Sequence, residues 1–250
     1  ALAIYGREVF AVSRTSILWI IALGTIAYPM GRLLNYTGLR LAGVGRAEPI
    51  LAGAPLVAVG LSLLVGGESI NLPIALGILS VISGVVLIVT QKNHQAMQPT
   101  ESPKKGLLQN QVLVGSLAAM LAAICYGSSQ FLARQIVKNQ NLPSLVVATF
   151  ALLTGLVILA IISQNNLRAN YRAPRKAFLL MTLAGFAAAA GVAFNYTALS
   201  LAPVVVVAPV SAASPLVSLA LANLFLQRLE RITLRIWIGA ALVVAGVILV

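Results

Sequence analysis

Eight stretches of the chain stay apolar long enough to cross a lipid bilayer: roughly 16–39, 44–66, 71–90, 111–137, 143–163, 177–200, 203–226 and 235–250. A spanning helix needs about 20 mostly apolar residues. These runs are continuous and rich in Ala, Leu, Val and Gly, whereas a transmembrane barrel alternates polar and apolar residues over short strands. The pattern predicts an all-α membrane protein, a polytopic helical bundle. The long polar stretch 92–110, KNHQAMQPTESPKKGLLQN, reads as a linker between two units.

The polar positions inside the apolar runs recur. NYTGLRLA at 35–42 returns as NYTALSLA at 195–202, an offset of 160 (195 − 35). At that offset Gly31 aligns with Gly191, Pro49 with Pro209 and Pro55 with Pro215. Beyond a two-residue insertion the offset is 162, aligning Glu68 with Glu230, Gly77 with Gly239 (239 − 77) and Gly84 with Gly246. Matches of Leu or Ala are cheap in so apolar a chain; Asn-Tyr-Thr and two prolines in register are not. The chain therefore reads as a duplication. Residues 1–91 form a first unit with three spans, 92–110 the linker, and 111–250 a second unit with five. The three spans of the first unit match the last three of the second. The expected parent has ten spans in two units of five, the first truncated at its N-terminus. An odd number of spans per unit inverts one unit against the other, the arrangement that places a substrate site between repeats near the bilayer midplane.

Composition agrees. The chain is 60% hydrophobic and 9% charged, against about 25% charged in a soluble domain. It contains no aspartate, and its five acids are all Glu. A net charge of +12 on a soluble protein would suggest nucleic acid. Here the basic residues lie mostly between apolar runs and read as topology signals and contacts to anionic lipid, so no nucleic-acid partner is expected. Twelve of the seventeen lie on the linker's side; Arg7, Arg14, Arg134 and Lys138 lie on the other, and Arg32 lies within a span. The positive-inside rule makes the linker's side cytoplasmic. Cys125 stands alone, excluding an internal disulfide. There is no paired acid, no histidine beyond His94 in the linker, no metal-ligand cluster and no phosphate loop. No enzyme, cofactor or metal is expected.

Candidate pathway residues are the polar side chains inside spans. Arg32, Asn35 and Tyr36 stand at i, i+3 and i+4 and share a helix face. Arg32 either lines a wet cavity and meets an anionic group or snorkels to a helix end. Asn35 and Asn195 either contact substrate or join helices by hydrogen bonds, and Tyr36 and Tyr196 either contact substrate or sit at the headgroups. Tyr126, Ser128, Ser129 and Gln130 cluster in the fourth span as a pathway wall. Ser211, Ser214 and Ser218 form a stripe that lines the pathway or permits close packing. Glu48 either pairs with Arg46 or serves as a proton-coupling carboxylate. Glu68 and Glu230 have turn or helix-start roles. Pro49, Pro55, Pro209 and Pro215 bend helices or mark their starts. The run AGFAAAAGVAF at 184–194 is a close-packing surface.

The order of these motifs resembles the drug/metabolite transporter superfamily, specifically its EamA-like ten-helix members. The resemblance rests on the NYTGLRLA and NYTALSLA phrases, the Pro49/Pro55 and Pro209/Pro215 pairs, the Glu68 and Glu230 turns, and glycine-spaced closing spans at 77–84 and 239–246. It also rests on CYGSSQFLARQIV at 125–137, which is similar to the first helix of a family unit. It implies a carrier of a small metabolite, such as an amino acid, working by alternating access in the plasma membrane. It also implies both chain ends in the cytoplasm, opposite to the basic-residue count. The rival readings are a proton-coupled drug exporter and a non-transporting membrane scaffold or fragment. The expected partners are a small-molecule substrate and membrane lipids, with oligomeric state open.

Overall fold

The computed structural model describes residues 13–43, 47, 50–92, 105–139, 142–164, 175–212 and 234–249, and every secondary-structure element among them is helical. Helix α1 is Arg14–Ala42, α2 Ala54–Leu64, α3 Leu72–Lys92 and α4 Lys105–Asn139. Helix α5 is Ser144–Ile162, α6 Arg175–Leu201, α7 Val204–Ala212 and α8 Leu234–Leu249. Each lies mainly in one of the eight apolar runs. Helix α4 starts at Lys105, six residues before the expected unit boundary (111 − 105). Arg14–Ala42, Gln111–Asn139, Ser144–Ile162 and Lys176–Leu201 are each long and apolar enough to cross a membrane.

Two helices depart from regularity. In α1 the segment Ile26–Met30 is a π-turn containing Pro29. Proline cannot donate to the helix ladder, and a widened turn accommodates the gap. The sequence reading named no proline there. In the expected span 44–66, a turn at Ala52–Gly53 interrupts the helix, and the Gly53 amide donates to the Ile50 carbonyl at 3.0 Å. Pro55 then sits in the first turn of α2. It opens a helix rather than bending one in mid-course, because its missing N–H falls where a helix has spare donors. Pro209 lies inside α7. Glu48, Pro49, Ser214 and Pro215 lie outside the described residues.

The most extensive helix contact joins α3 to α8. They run antiparallel with glycine set against glycine. A Cβ on Gly84 would lie 2.5 Å from the Gly239 carbonyl oxygen and 2.7 Å from Val243 Cγ2. A Cβ on Gly246 would lie 2.6 Å from the Gly77 carbonyl oxygen and 2.7 Å from Val81 Cγ2. Ser80 Oγ donates to the Leu242 carbonyl at 2.7 Å. Positions 80 and 242 differ by 162, as do 81 and 243. The contact is thus reciprocal under that offset, as a self-complementary two-fold interface is. Small residues let backbones approach where lipid supplies no hydrophobic drive between helices.

The remaining helices surround α4. Gly31, Gly38 and Ala42 of α1 pack on Tyr126, Ala119 and Gly115, in descending order along α4, so α1 and α4 are antiparallel. Gly127 of α4 packs on the start of α2, at Ala54, Val57 and Ala58. Helix α5 lies on α1, where Tyr28 sits on Gly155. Leu23, Ala133, Val147, Ala151, Leu199 and Val204 are buried in the common core.

Helix α6 corrects one expectation. Its run 184–194 is mostly exposed, with Ala189, Val192 and Ala193 half-buried, and no described residue lies within 4 Å of a Cβ at Gly185 or Gly191. Its counterpart α1 is covered by α4 and α5, whereas this stretch of α6 meets the core through Val192 and leaves its glycines uncovered. Small residues permit close packing only where a partner is present.

Candidate functional site

The π-turn and the Ala52–Gly53 break flank one polar cluster. Residues 28, 32, 35 and 36 fall on one face of α1 by helical spacing. Asn35 Nδ2 donates to the Tyr126 hydroxyl of α4 at 3.3 Å. The Tyr126 ring lies against Gly31, where a Cβ would come within 2.7 Å of Cε1. Any larger residue at position 31 would displace that ring. Arg32 acts electrostatically on both the Tyr28 and Tyr126 hydroxyls. The Tyr28 and Tyr196 hydroxyls interact across α1 and α6, bringing a third helix to the cluster.

Three features make this cluster receptive. Arg32 is exposed and has no ion-pair or hydrogen-bond partner among the described residues. It lies well inside its 29-residue span, where an unpaired charge facing lipid would cost about 2.5–3.5 kcal/mol. Second, Asn35 Oδ1 and Gln130 Oε1 are buried acceptors without a partner. A buried polar atom left unsatisfied costs about 1–3 kcal/mol unless water or a ligand fills it. Third, Gly127, next to Tyr126, touches the first turn of α2, and a helix start carries partial positive charge. The Arg32 cation and the orphan Asn35 carbonyl oxygen, both about Tyr126, suit a ligand with both an anionic group and hydrogen-bond donors.

The expected residues divide. Arg32, Asn35, Tyr36 and Tyr126 are brought together. Gln130 lies one turn along α4 from Tyr126. Ser129 is buried and donates to the Tyr126 carbonyl at 2.8 Å, an internal helix bond. Asn195 donates to Ser211 Oγ at 2.8 Å and so links α6 to α7. Tyr196 is 5% exposed, so it is not a headgroup residue.

Glu68, read as a turn or helix-start residue, belongs to a second polar group whose partners the sequence did not show. The Glu68 carboxylate accepts from the Val204 and Val205 amides, at 3.1 and 3.2 Å, at the start of α7. Arg134 Nη1 donates to the Leu199 and Ser200 carbonyls at the end of α6, at 2.5 and 3.2 Å. Glu68 Oε1 and Arg134 Nε lie 3.8 Å apart. Each charge faces the helix end of opposite sign. Glu68 is placed by Gly67, whose φ of +65° is left-handed, and its own amide donates to the Ser62 carbonyl at 3.2 Å. The sequence showed Arg134 as one basic residue near a span end; nothing marked the residues 65 positions away that it binds.

The model of the EamA-like transporter family matches residues 1–90 and 113–250. Among solved structures, a crystal structure of a protein superposes with a TM-score of 0.68 at 20% identity, covering 93% of this chain and 74% of the other. That likeness is one of fold. No curated protein matches.

Proposed function

Because the chain belongs to the EamA-like transporter family, an integral multi-pass membrane protein of a family that transports small molecules, we propose that it is a secondary carrier of an amino acid or related metabolite, working by alternating access in the plasma membrane. Residues 1–91 and 111–250 act as two inverted units joined by the 92–110 segment. The reciprocal contact of Gly77 and Gly84 with Gly246 and Gly239 supports that reading.

The observation that carries the proposal is Arg32, a guanidinium inside a span with no partner among the described residues, near the unpartnered Asn35 Oδ1, with the unpartnered Gln130 Oε1 one turn along α4 from Tyr126. A carboxylate suits Arg32, which binds planar anions through paired donors. An ammonium group suits the two amide oxygens. Tyr36 and Tyr126 wall the site, Ser129 fixes the α4 backbone behind it, and Asn195 and Ser214 belong to the second unit's side of the pathway. Pro49, Pro55, Pro209 and Pro215 mark the breaks and bends that let the units rock.

The test is thermal unfolding of the purified protein in nanodiscs across a panel of amino acids. A subset should raise the unfolding temperature of the native protein and leave Arg32→Gln unmoved, with equal baselines. Stabilisation of both proteins alike, or of neither by any compound, refutes the assignment.

A further inference from the structure

The Glu68–Arg134 clasp lies away from the polar cluster. Arg134 is eight residues beyond Tyr126 on α4 (134 − 126), about 12 Å at ~1.5 Å per residue. It gathers four elements at one end of the bundle: the loop after α2, the end of α4, the end of α6 and the start of α7. Only Ala202 and Pro203 join α6 to α7. The side-chain bonds therefore set the relation of these two helices more than the backbone does.

Three details distinguish the clasp from a permanently sealed core pair. Both side chains are 13% exposed, so neither is sealed in the core. The ion pair, at 3.8 Å, exceeds hydrogen-bond length, and Arg134 Nε has no hydrogen-bond partner. A cavity of about 270 Å³ lies at the same end of the bundle on another face of α4, between Trp19 of α1, Val65 at the end of α2 and Phe131, Gln135 and Asn139 of α4. Neither Glu68 nor Arg134 lines it, but it leaves the α2 and α4 ends room to move.

We propose that the Glu68–Arg134 clasp is a releasable latch that closes one end of the pathway, and that it opens and re-forms once per transport cycle. The proposal rests on the carrier reading above. In the latched state Glu68 holds the first unit's loop on the α7 amides while Arg134 holds the α6 carbonyls, and the break at Ala202–Pro203 stays shut. In the released state α7 swings with its own unit, away from the loop.

The experiment uses Ser69→Cys with Pro203→Cys, two exposed positions beside the clasp that leave Glu68 and Arg134 intact. Cys125 is buried and does not compete. A reducible bis-methanethiosulfonate cross-linker ties the pair in proteoliposomes, and counterflow of a mixture of ¹⁴C-labelled protein amino acids is read. Cross-linking should cut counterflow by at least about tenfold, since a locked gate stops the cycle, and reduction should restore it. Full counterflow through cross-linked protein overturns the latch and leaves the carrier standing. No counterflow in the native protein removes the carrier reading, and the latch with it. Spin labels at the same positions in nanodiscs give a readout independent of substrate. Two distance populations are expected; a single one overturns the latch.

Discussion

Gly84 and Gly239 approach so closely that a methyl group on Gly84 would sit 2.5 Å from the Gly239 carbonyl oxygen, and Gly246 stands in the same relation to Gly77 at 2.6 Å. Gly84→Ala and Gly246→Ala should each destabilise the protein by about 1–3 kcal/mol, because neither neighbour is a flexible side-chain tip. Gly191→Ala, with nothing within 4 Å, should be neutral or gain up to about 1 kcal/mol of helix propensity. Thermal unfolding in detergent compares the three, and equal losses at positions 84 and 191 would refute the packing argument.

Arg32 and Tyr126 should behave differently toward ligand. Charge-assisted hydrogen bonds contribute about 1.5–3 kcal/mol, so Arg32→Gln should weaken binding about 10–100-fold. Folding stability should shift by less than about 0.5 kcal/mol, because Arg32 has no protein partner among the described residues. Tyr126→Phe removes one neutral bond, at 3.3 Å to Asn35, and should weaken binding by less than about tenfold. Titration by intrinsic fluorescence decides, and a larger loss in Tyr126→Phe than in Arg32→Gln would reverse the assigned roles.

The Tyr28 and Tyr196 hydroxyls interact across α1 and α6, and a hydrogen bond between them is expected. Interhelical bonds of this kind are worth about 0.6–2 kcal/mol in membranes. A double-mutant cycle of Tyr28→Phe and Tyr196→Phe, read by unfolding in mixed micelles, should give a coupling in that range. Strict additivity would show the bond to be energetically idle.

The fold was legible because it follows from solvent. Twenty apolar residues in lipid have few alternatives to a helix, so each of the eight runs is mainly helical in its described part, the Ala52–Gly53 turn being the internal break. The glycines at 77, 84, 239 and 246 were visible as a repeat and proved to be a contact. What escaped depended on partners distant in sequence. Arg134 read as a topology signal, although it binds the end of α6. The run 184–194 read as a packing surface, although most of it is exposed and its glycines meet no described residue. Pro29 passed unnoticed because it lies outside the repeated proline pairs, yet it sits in the π-turn next to Tyr28. Arg32, Asn35 and Tyr36 were found because helical spacing alone puts them on one face.

Under the rival reading of a proton-coupled exporter, Glu48, which otherwise pairs with Arg46, is the candidate coupling carboxylate from its place at the start of the second span. Glu48→Gln should abolish uptake driven by a pH gradient while exchange at equal pH persists, since a neutral amide cannot carry the proton. Vesicle uptake with and without the gradient checks this, and unchanged gradient-driven uptake removes Glu48 from the mechanism.

The most direct measurement is counterflow in proteoliposomes preloaded with unlabelled amino acids, comparing the native protein with Arg32→Gln. The native protein should show a transient overshoot of labelled amino acid inside the vesicles, and folded Arg32→Gln should show none. An equal overshoot in both, or none in the native protein, would contradict a carrier that binds its substrate at Arg32.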